Sequence, residues 1–489
     1  MPGEVKNRAP RVPSDAARFE FHGVVPGIGR PKSVISGTII STDLENEQLL
    51  QLPTGFDLAG ATWREHCQKR ASIPAGYTYL AQLMGHDIGR SVPLSIHPAE
   101  RPESATAASR LAVYNLVESP LSLETIYGTG PVGSPLLFTA RTLRFRIGPH
   151  EHLARQVDLP GDGEPVALMA DPRNRDTPML HELATAWMRY HNLVAMRLVR
   201  RDLPQHHADD HASLNADYLI GIFGRARAIV TATWHAVLRE DLLPRLCRPD
   251  VMALDESEFA DLQPLEPVDT LNGLMRAFHA MPLDRYRLNR DTGVGTPLAR
   301  LRDRRNEGMW KVDWSLFLPR DDAFAAGAKF NRAALSASYA ATFSGATGHI
   351  AAADLSSATH AGASPDFTSY LRAANARLPS SARVDLGVET IAAALRPEME
   401  SLGLTAMTAD EIASAPLFLL LMAEAHLYGS GRFGPVGSLL LRNVVEKSIN
   451  GLLAQPVPAA DVPHRSMIAV IEDVENSQFD NSKEELRTS

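Results

Sequence analysis

The sequence predicts a mainly α-helical fold with little β structure, and three observations predict it. Apolar residues recur three and four positions apart through several long segments, the spacing that lines one face of a helix. Stretches with the two-residue alternation of a strand are few, Leu136–Ile147 (LLFTARTLRFRI) being the clearest. The chain has 489 residues, 44% of them hydrophobic and 22% charged, which is enough apolar material for one large core.

Taken in order, residues 1–18 are polar and charged without periodicity and read as a frayed extension. A first helix, about Ala75–Ile88, sets Tyr79, Gln82, Leu83 and His86 on one face. The strand-like Leu136–Ile147 follows. Thr177 suits an N-cap and Pro178 a first turn, so a long amphipathic helix starts there, just after Arg173 and Asp176. Its apolar side carries Leu180, Leu183, Ala184, Trp187, His191, Val194 and Leu198. A third helix, Thr270–Met281, aligns Leu271, Leu274, Met275 and Phe278 and is stopped by Pro282. A fourth lies near Pro416–Leu427. Residues 475–489 (ENSQFDNSKEELRTS) read as a second polar tail. No repeat or Gly/Ser linker divides the interior, so residues 19–474 are expected to form one domain.

A net charge of −8 gives no general attraction to nucleic acid or anionic membrane. Two cysteines, Cys67 and Cys247, make neither a disulfide framework nor an iron–sulfur pattern. The N-terminus has charges and prolines where a signal peptide needs an apolar run, and the apolar PLFLLLMA (Pro416–Ala423) is too short to span a bilayer. The expected location is the cytoplasm, with no membrane span.

Two stretches match G-x-G-x-x-G, at Gly128, Gly130 and Gly133 and at Gly429, Gly431 and Gly434. A dinucleotide site needs a strand before such a loop and a helix after it, and neither context is met. His206, His207, Asp209, Asp210 and His211 sit in a wholly polar run that reads as a solvated loop rather than a metal site. No HExxH or GxSxG occurs, which removes the usual support for zinc proteolysis and α/β-hydrolase chemistry. His86 and Asp87 point about 100° apart on one helix, so one could face a reaction centre and the other a cation behind it. Taken alone, a hydrogen-bonded core histidine is by several times the commoner reading, and the same caution covers His279. Arg173 and Asp176 could simply be charges about a helix N-terminus.

Six blocks shift the balance, because together and in order they resemble the animal-type haem peroxidases, particularly bacterial members. They are SIPAGYTYLAQLMGHDIG (Ser72–Gly89), SLETIYG (Ser122–Gly128), ALMADPRNRDTPMLHELATAWMRYHN (Ala167–Asn192), LMRAFHAMPLDRYRLN (Leu274–Asn289), LRAANARLPSS (Leu371–Ser381) and APLFLLLMAEAHLYGSGRFGPVG (Ala415–Gly437). The resemblance implies a helical fold around a buried haem b. It implies His86 as the distal histidine with Gln82 beside it, Arg173 as the catalytic arginine, His279 as the axial ligand of the haem iron, and Arg372 near the propionates. Such a site would use hydrogen peroxide to oxidise an organic donor or a halide through a ferryl intermediate. His86 would act as general base and then general acid, and Arg173 would stabilise the charge that develops as the O–O bond breaks.

The chain departs from the family in ways that carry expectations. Gly85 replaces an aspartate that forms a haem ester in many relatives, and Asp176 replaces a glutamate, so haem is expected to be non-covalent or held by at most one ester. Thr177 excludes a sulfur-linked methionine. Ser369 replaces the asparagine that orients the axial histidine. The family's calcium site implies Asp87, Ser122 and Glu124 as ligands, with Thr125 adjacent. Arg276 stands where cyclooxygenases and fatty-acid α-dioxygenases carry their radical tyrosine, which favours peroxidase chemistry over those branches. The alternatives are an oxygenase or oxidative tailoring enzyme acting on a lipid, aromatic or peptide metabolite, and a non-catalytic haem-binding protein, against which the retention of His86, Arg173 and His279 together argues.

Overall fold

The computed structural model describes residues 39–42, 61–93, 111–115, 117–148, 154, 156–157, 166–205, 214–263, 265, 269–289, 295–302, 310–320, 330–333, 335, 367–413, 417–452 and 457–488. The N-terminal stretch 1–18 and the histidine-rich run 206–211 lie outside them. Nine helices position the site: α1 (Ala61–Gln68), α2 (Gly76–Ile88), α3 (Pro178–Asp202), α4 (Ala216–Val237), α5 (Phe367–Arg377), α6 (Val388–Ser401), α7 (Leu417–Glu424), α8 (Pro435–Asn450) and α9 (Met467–Thr488). The β structure is marginal. Leu111–Asn115 is the centre of a three-stranded antiparallel sheet, flanked by Ile39–Thr42 and Ser91–Pro93 in the registers Ile39↔Tyr114 and Ser91↔Asn115. The expected mainly α fold is the one observed.

α2 is buried on nearly every side, as a helix in the middle of a core must be. Its first residue requires glycine on steric grounds. A Cβ on Gly76 would stand 2.7 Å from the carbonyl oxygen of Phe317, the same oxygen that accepts the Gly76 N–H at 2.9 Å. α3 begins as the sequence predicts, with the Thr177 hydroxyl accepting from the Leu180 N–H at 3.3 Å and Pro178 in the first turn. α3 packs on α4 through Trp187 and Trp234, whose rings meet edge to face at 5.3 Å. α9 closes over α3 through a two-pronged pair between Arg197 and Asp473, at 2.6 and 2.7 Å. One contiguous set of buried apolar residues runs from Cys67 to Val474.

Four segments differ from expectation. Leu136–Ile147 is not a strand but a short 3-10 turn followed by two isolated antiparallel bridges, Phe138↔Phe145 and Ile147↔Ala154, with Leu143 in the left-handed region at φ 52°. The Asn192 amide takes the backbone of Phe145 at 2.8 and 3.0 Å, so no ladder partner is needed. The alternating apolar residues instead feed an aromatic cluster in which the Phe138 and Phe145 rings lie 4.5 Å apart, beside Tyr127, His191 and Phe223.

Thr270–Met281 is helical but irregular, a π-turn over Asp269–Leu274 passing into a 3-10 turn over Met275–Ala280. The helix expected near Pro416–Leu427 is α7, which ends at Glu424 in another π-turn, Ala425–Gly429. The C-terminal tail is helix through Thr488, because Met467, Val470, Ile471 and Val474 bury one face and elongation past a formed nucleus is cheap. The glycine motifs follow no described strand. At the second, the N-terminus of α8 is occupied by the Glu424 carboxylate, which accepts from the Val436 and Gly437 N–H groups at 2.6 and 2.9 Å where a pyrophosphate would have to sit.

Candidate active site

The last turn of α2 presents His86, Asp87 and Gly89, and three neighbours fix it. Asn174, in the turn before α3, is fully buried, and its Oδ1 lies 2.9 Å from His86 Nδ1. An amide oxygen only accepts, so Nδ1 carries the proton and Nε2 keeps its lone pair. The Asn174 amide nitrogen in turn donates to the Thr125 carbonyl at 3.3 Å. Burial, and then the charge of Arg173, lower the His86 pKa to about 4, against the opposing pull of Asp171 and Asn174. A buried, neutral imidazole with a defined tautomer and an available Nε2 is a proton acceptor near neutral pH. Asn174 was not singled out by the sequence; its one signal was adjacency to Arg173.

Arg173 is placed differently from expectation. Its guanidinium donates to the backbone carbonyls of Gly89 at 2.8 Å and His86 at 3.0 Å, and it forms a pair with Asp171 at 2.6 Å. Burial alone would raise the Asp171 carboxyl, but the Arg173 hydrogen bonds and charge hold it below its ordinary range. The arginine is thus drawn to the carbonyl end of α2, where unpaired backbone oxygens and the helix dipole favour a cation. It fixes the backbone of His86 rather than aiming at the ring's reactive edge.

Gln82 is buried, and its amide donates to the Phe278 carbonyl at 3.3 Å, reaching the turn that carries His279. His279 is half-buried there. α2 and this turn are in direct contact: a Cβ on Gly85 would lie 3.8 Å from the Met275 Cβ and 3.9 Å from the Phe278 ring. Asp176 is paired with Arg302, at 2.9 and 3.0 Å. Arg372 is exposed on α5, and among the described contacts nothing ties it to His86. Arg276 lies in the 3-10 turn and Ser369 on α5, but their side chains are outside the described structure.

The expected calcium ligands, Asp87, Ser122 and Glu124, each make different contacts. Asp87, fully buried, accepts from the Leu123 N–H at 2.8 Å and from the Thr125 N–H and hydroxyl at 3.3 Å each, while burial pushes its pKa up to about 7. Glu124 accepts instead from the Glu118 and Ser119 N–H groups, at 3.1 Å each. The Arg227 guanidinium lies 4.8 Å over the Tyr127 ring, and its charge acts on both carboxylates. Ser122 Oγ is buried without a partner. In the chain as described, backbone donors and the Arg227 charge serve the two carboxylates.

The donor set does fit a haem. One neutral imidazole and one half-buried imidazole on facing elements are what a distal and an axial position require. A flat ring between two protein surfaces needs about twice the 3.5–4 Å contact distance. At Gly85 the elements are a single contact apart, so a macrocycle between His86 and His279 must part the Gln82–Phe278 contact.

The chain is similar to known proteins in its central segment and in its fold. Residues 125–279 match the animal haem peroxidase family, a segment that includes Arg173, Asn174 and His279. The fold is similar to that of peroxidase A from Dictyostelium discoideum, with 11% identity and a TM-score of 0.50 over 84% of this chain and 88% of that one. A fatty acid alpha-dioxygenase from Oryza sativa aligns at 13% identity and a TM-score of 0.46, over 90% of this chain and 81% of that one. No curated protein matches. The chain thus shares its mainly helical fold with that peroxidase. Among the described residues, no helix is long and apolar enough to cross a membrane.

Proposed function

We propose that the chain is a haem-dependent peroxidase that consumes hydrogen peroxide and oxidises a small organic donor or a halide, with His279 holding the iron and His86 handling the peroxide protons. The observation that carries this reading is the His86–Asn174 pair, which supports a neutral imidazole with Nε2 as acceptor. When bound, haem supplies the iron centre at which the O–O bond is cleaved and from which oxidising equivalents reach the donor.

His86 Nε2 takes the proton of the incoming peroxide and returns it to the leaving oxygen, which departs as water. Asn174 keeps the ring in that tautomer and orientation throughout. Arg173 and Asp171 hold the His86 backbone, so the proton acceptor does not drift with the end of its helix. Gly85 offers no carboxyl for an ester, and Asp176 is engaged by Arg302, which favours haem held without a covalent bond.

Steady-state turnover of an aromatic donor by the haem-loaded full chain tests the reading. Consumption of one peroxide per two donor electrons is expected, with no labelled dioxygen in the product and loss of haem affinity in H279A. Donor turnover driven by dioxygen without peroxide, with label in the product, would overturn it in favour of an oxygenase.

A further inference from the structure

Three elements bring together a second set of chemically capable side chains. His66 on α1, Glu398 on α6 and His426 in the π-turn after α7 place one ligand atom each within 4.8 Å of one another. His426 Nε2 lies 2.6 Å from Glu398 Oε2, and His66 Nε2 contacts Glu398 Oε1. The side chains are well inside the fold, with 3% exposure for His426, 19% for Glu398 and 22% for His66. Cys67 Sγ lies 3.7 Å from His426 Nδ1. We propose that His66, His426 and Glu398 bind a divalent transition metal of the zinc class.

Two imidazoles and one carboxylate are an established three-ligand set for zinc, leaving a fourth position open. Ligand atoms about 2.1 Å from one tetrahedral ion lie about 3.4 Å apart, a spacing that small rotations of these side chains reach. Both Nε2 atoms face the same carboxylate. A metal at Nε2 puts the His426 proton on Nδ1, directed at Cys67 Sγ, the kind of outer partner that orients a ligating histidine. The π-turn is a second pointer, since such local widening recurs at functional sites.

Arg70 competes for the same centre. Its Nη2 donates to Glu398 Oε1 at 2.6 Å, and its Nη1 lies 3.4 Å from both His426 Nε2 and the His426 carbonyl. Burial would push the Glu398 carboxyl up, but hydrogen bonds from His426 and His66 and the nearby Arg70 charge hold it below its ordinary range. Arg70 is 46% exposed, so it occupies the rim and can turn out to solvent when a cation enters.

The test is Zn2+ titration of the chelator-stripped full chain against a chromophoric competitor, with Co2+ absorption reporting tetrahedral geometry. One equivalent is expected. Affinity should fall at least 100-fold in H66N and H426N, and rise severalfold in R70A, which keeps all three ligands and decides the matter if the histidine variants fail to fold. No binding above that of folded H66N/H426N, or an R70A affinity no higher than that of the unaltered chain, would overturn the proposal and leave a hydrogen-bonded ion-pair cluster.

Discussion

At the scale of single residues the account rests on His86 and Asn174. Because burial lowers the His86 pKa to about 4, the ring is neutral at ordinary pH. The rate of reaction with peroxide should therefore be flat from neutral pH to about pH 5, and fall as the pH drops through about 4 and Nε2 becomes protonated. The unfolded chain binds this proton near pH 6.5, so the same group also withdraws stability as pH falls from about 6.5 to 4. In N174D a carboxylate faces Nδ1 and favours the imidazolium, so the acid limb of the pH–rate profile should move to higher pH. An unmoved limb would mean that the limb does not report His86. The histidine was legible in the sequence through the resemblance of its helix. Its partner was not, because an asparagine beside a conspicuous arginine gives no periodic or spacing signal and acquires its role only when two distant segments meet.

At the scale of elements, the end of α2 is held by a clamp whose parts reinforce one another. Removing Arg173 leaves Asp171 buried without its partner and two helix-end carbonyls unpaired. R173A and D171N should each lower stability by about 1–3 kcal/mol, and the double variant by less than the sum, as chemical denaturation can measure. The edges of α2 and α3 were readable because Thr177, Pro178 and the apolar spacing leave little choice. The turn carrying His279 was not readable as π and 3-10, since the spacing of Leu271, Leu274, Met275 and Phe278 suits any of the three helical forms.

The contact between that turn and α2 can be locked. The Met275 Cβ lies 3.8 Å from the Cβ position at Gly85, a separation that suits a disulfide. In G85C/M275C the oxidised protein should refuse haem and the reduced protein accept it, as followed by the Soret band. Equal loading in both states would show that haem binds without parting the contact.

At the scale of the whole molecule, a single helical core brings Ser72–Gly89, Ala167–Asn192 and Leu274–Asn289 together across about two hundred residues of sequence. That convergence was legible, because six blocks in one order specify a fold more strongly than any local pattern. What stayed hidden depends on contacts made only in the folded chain. The Asp87 and Glu124 carboxylates could be assigned to calcium on residue type, but folding gives them backbone donors and sets the Arg227 charge beside them. The cluster of His66, Glu398 and His426 spans 361 positions and has no sequence signature. The paired Asp176 and the carboxyl-free Gly85 together favour a haem that denaturing extraction removes.

The central claim is that His86, held by Asn174, is the proton acceptor for peroxide beside a haem carried by His279. Rapid mixing of the haem-loaded full chain with hydrogen peroxide, beside H86A at equal haem occupancy, tests it most directly. The account predicts a fast second-order change in the Soret band that slows by about 10²- to 10⁴-fold in H86A. Equal rates in the two proteins would contradict it.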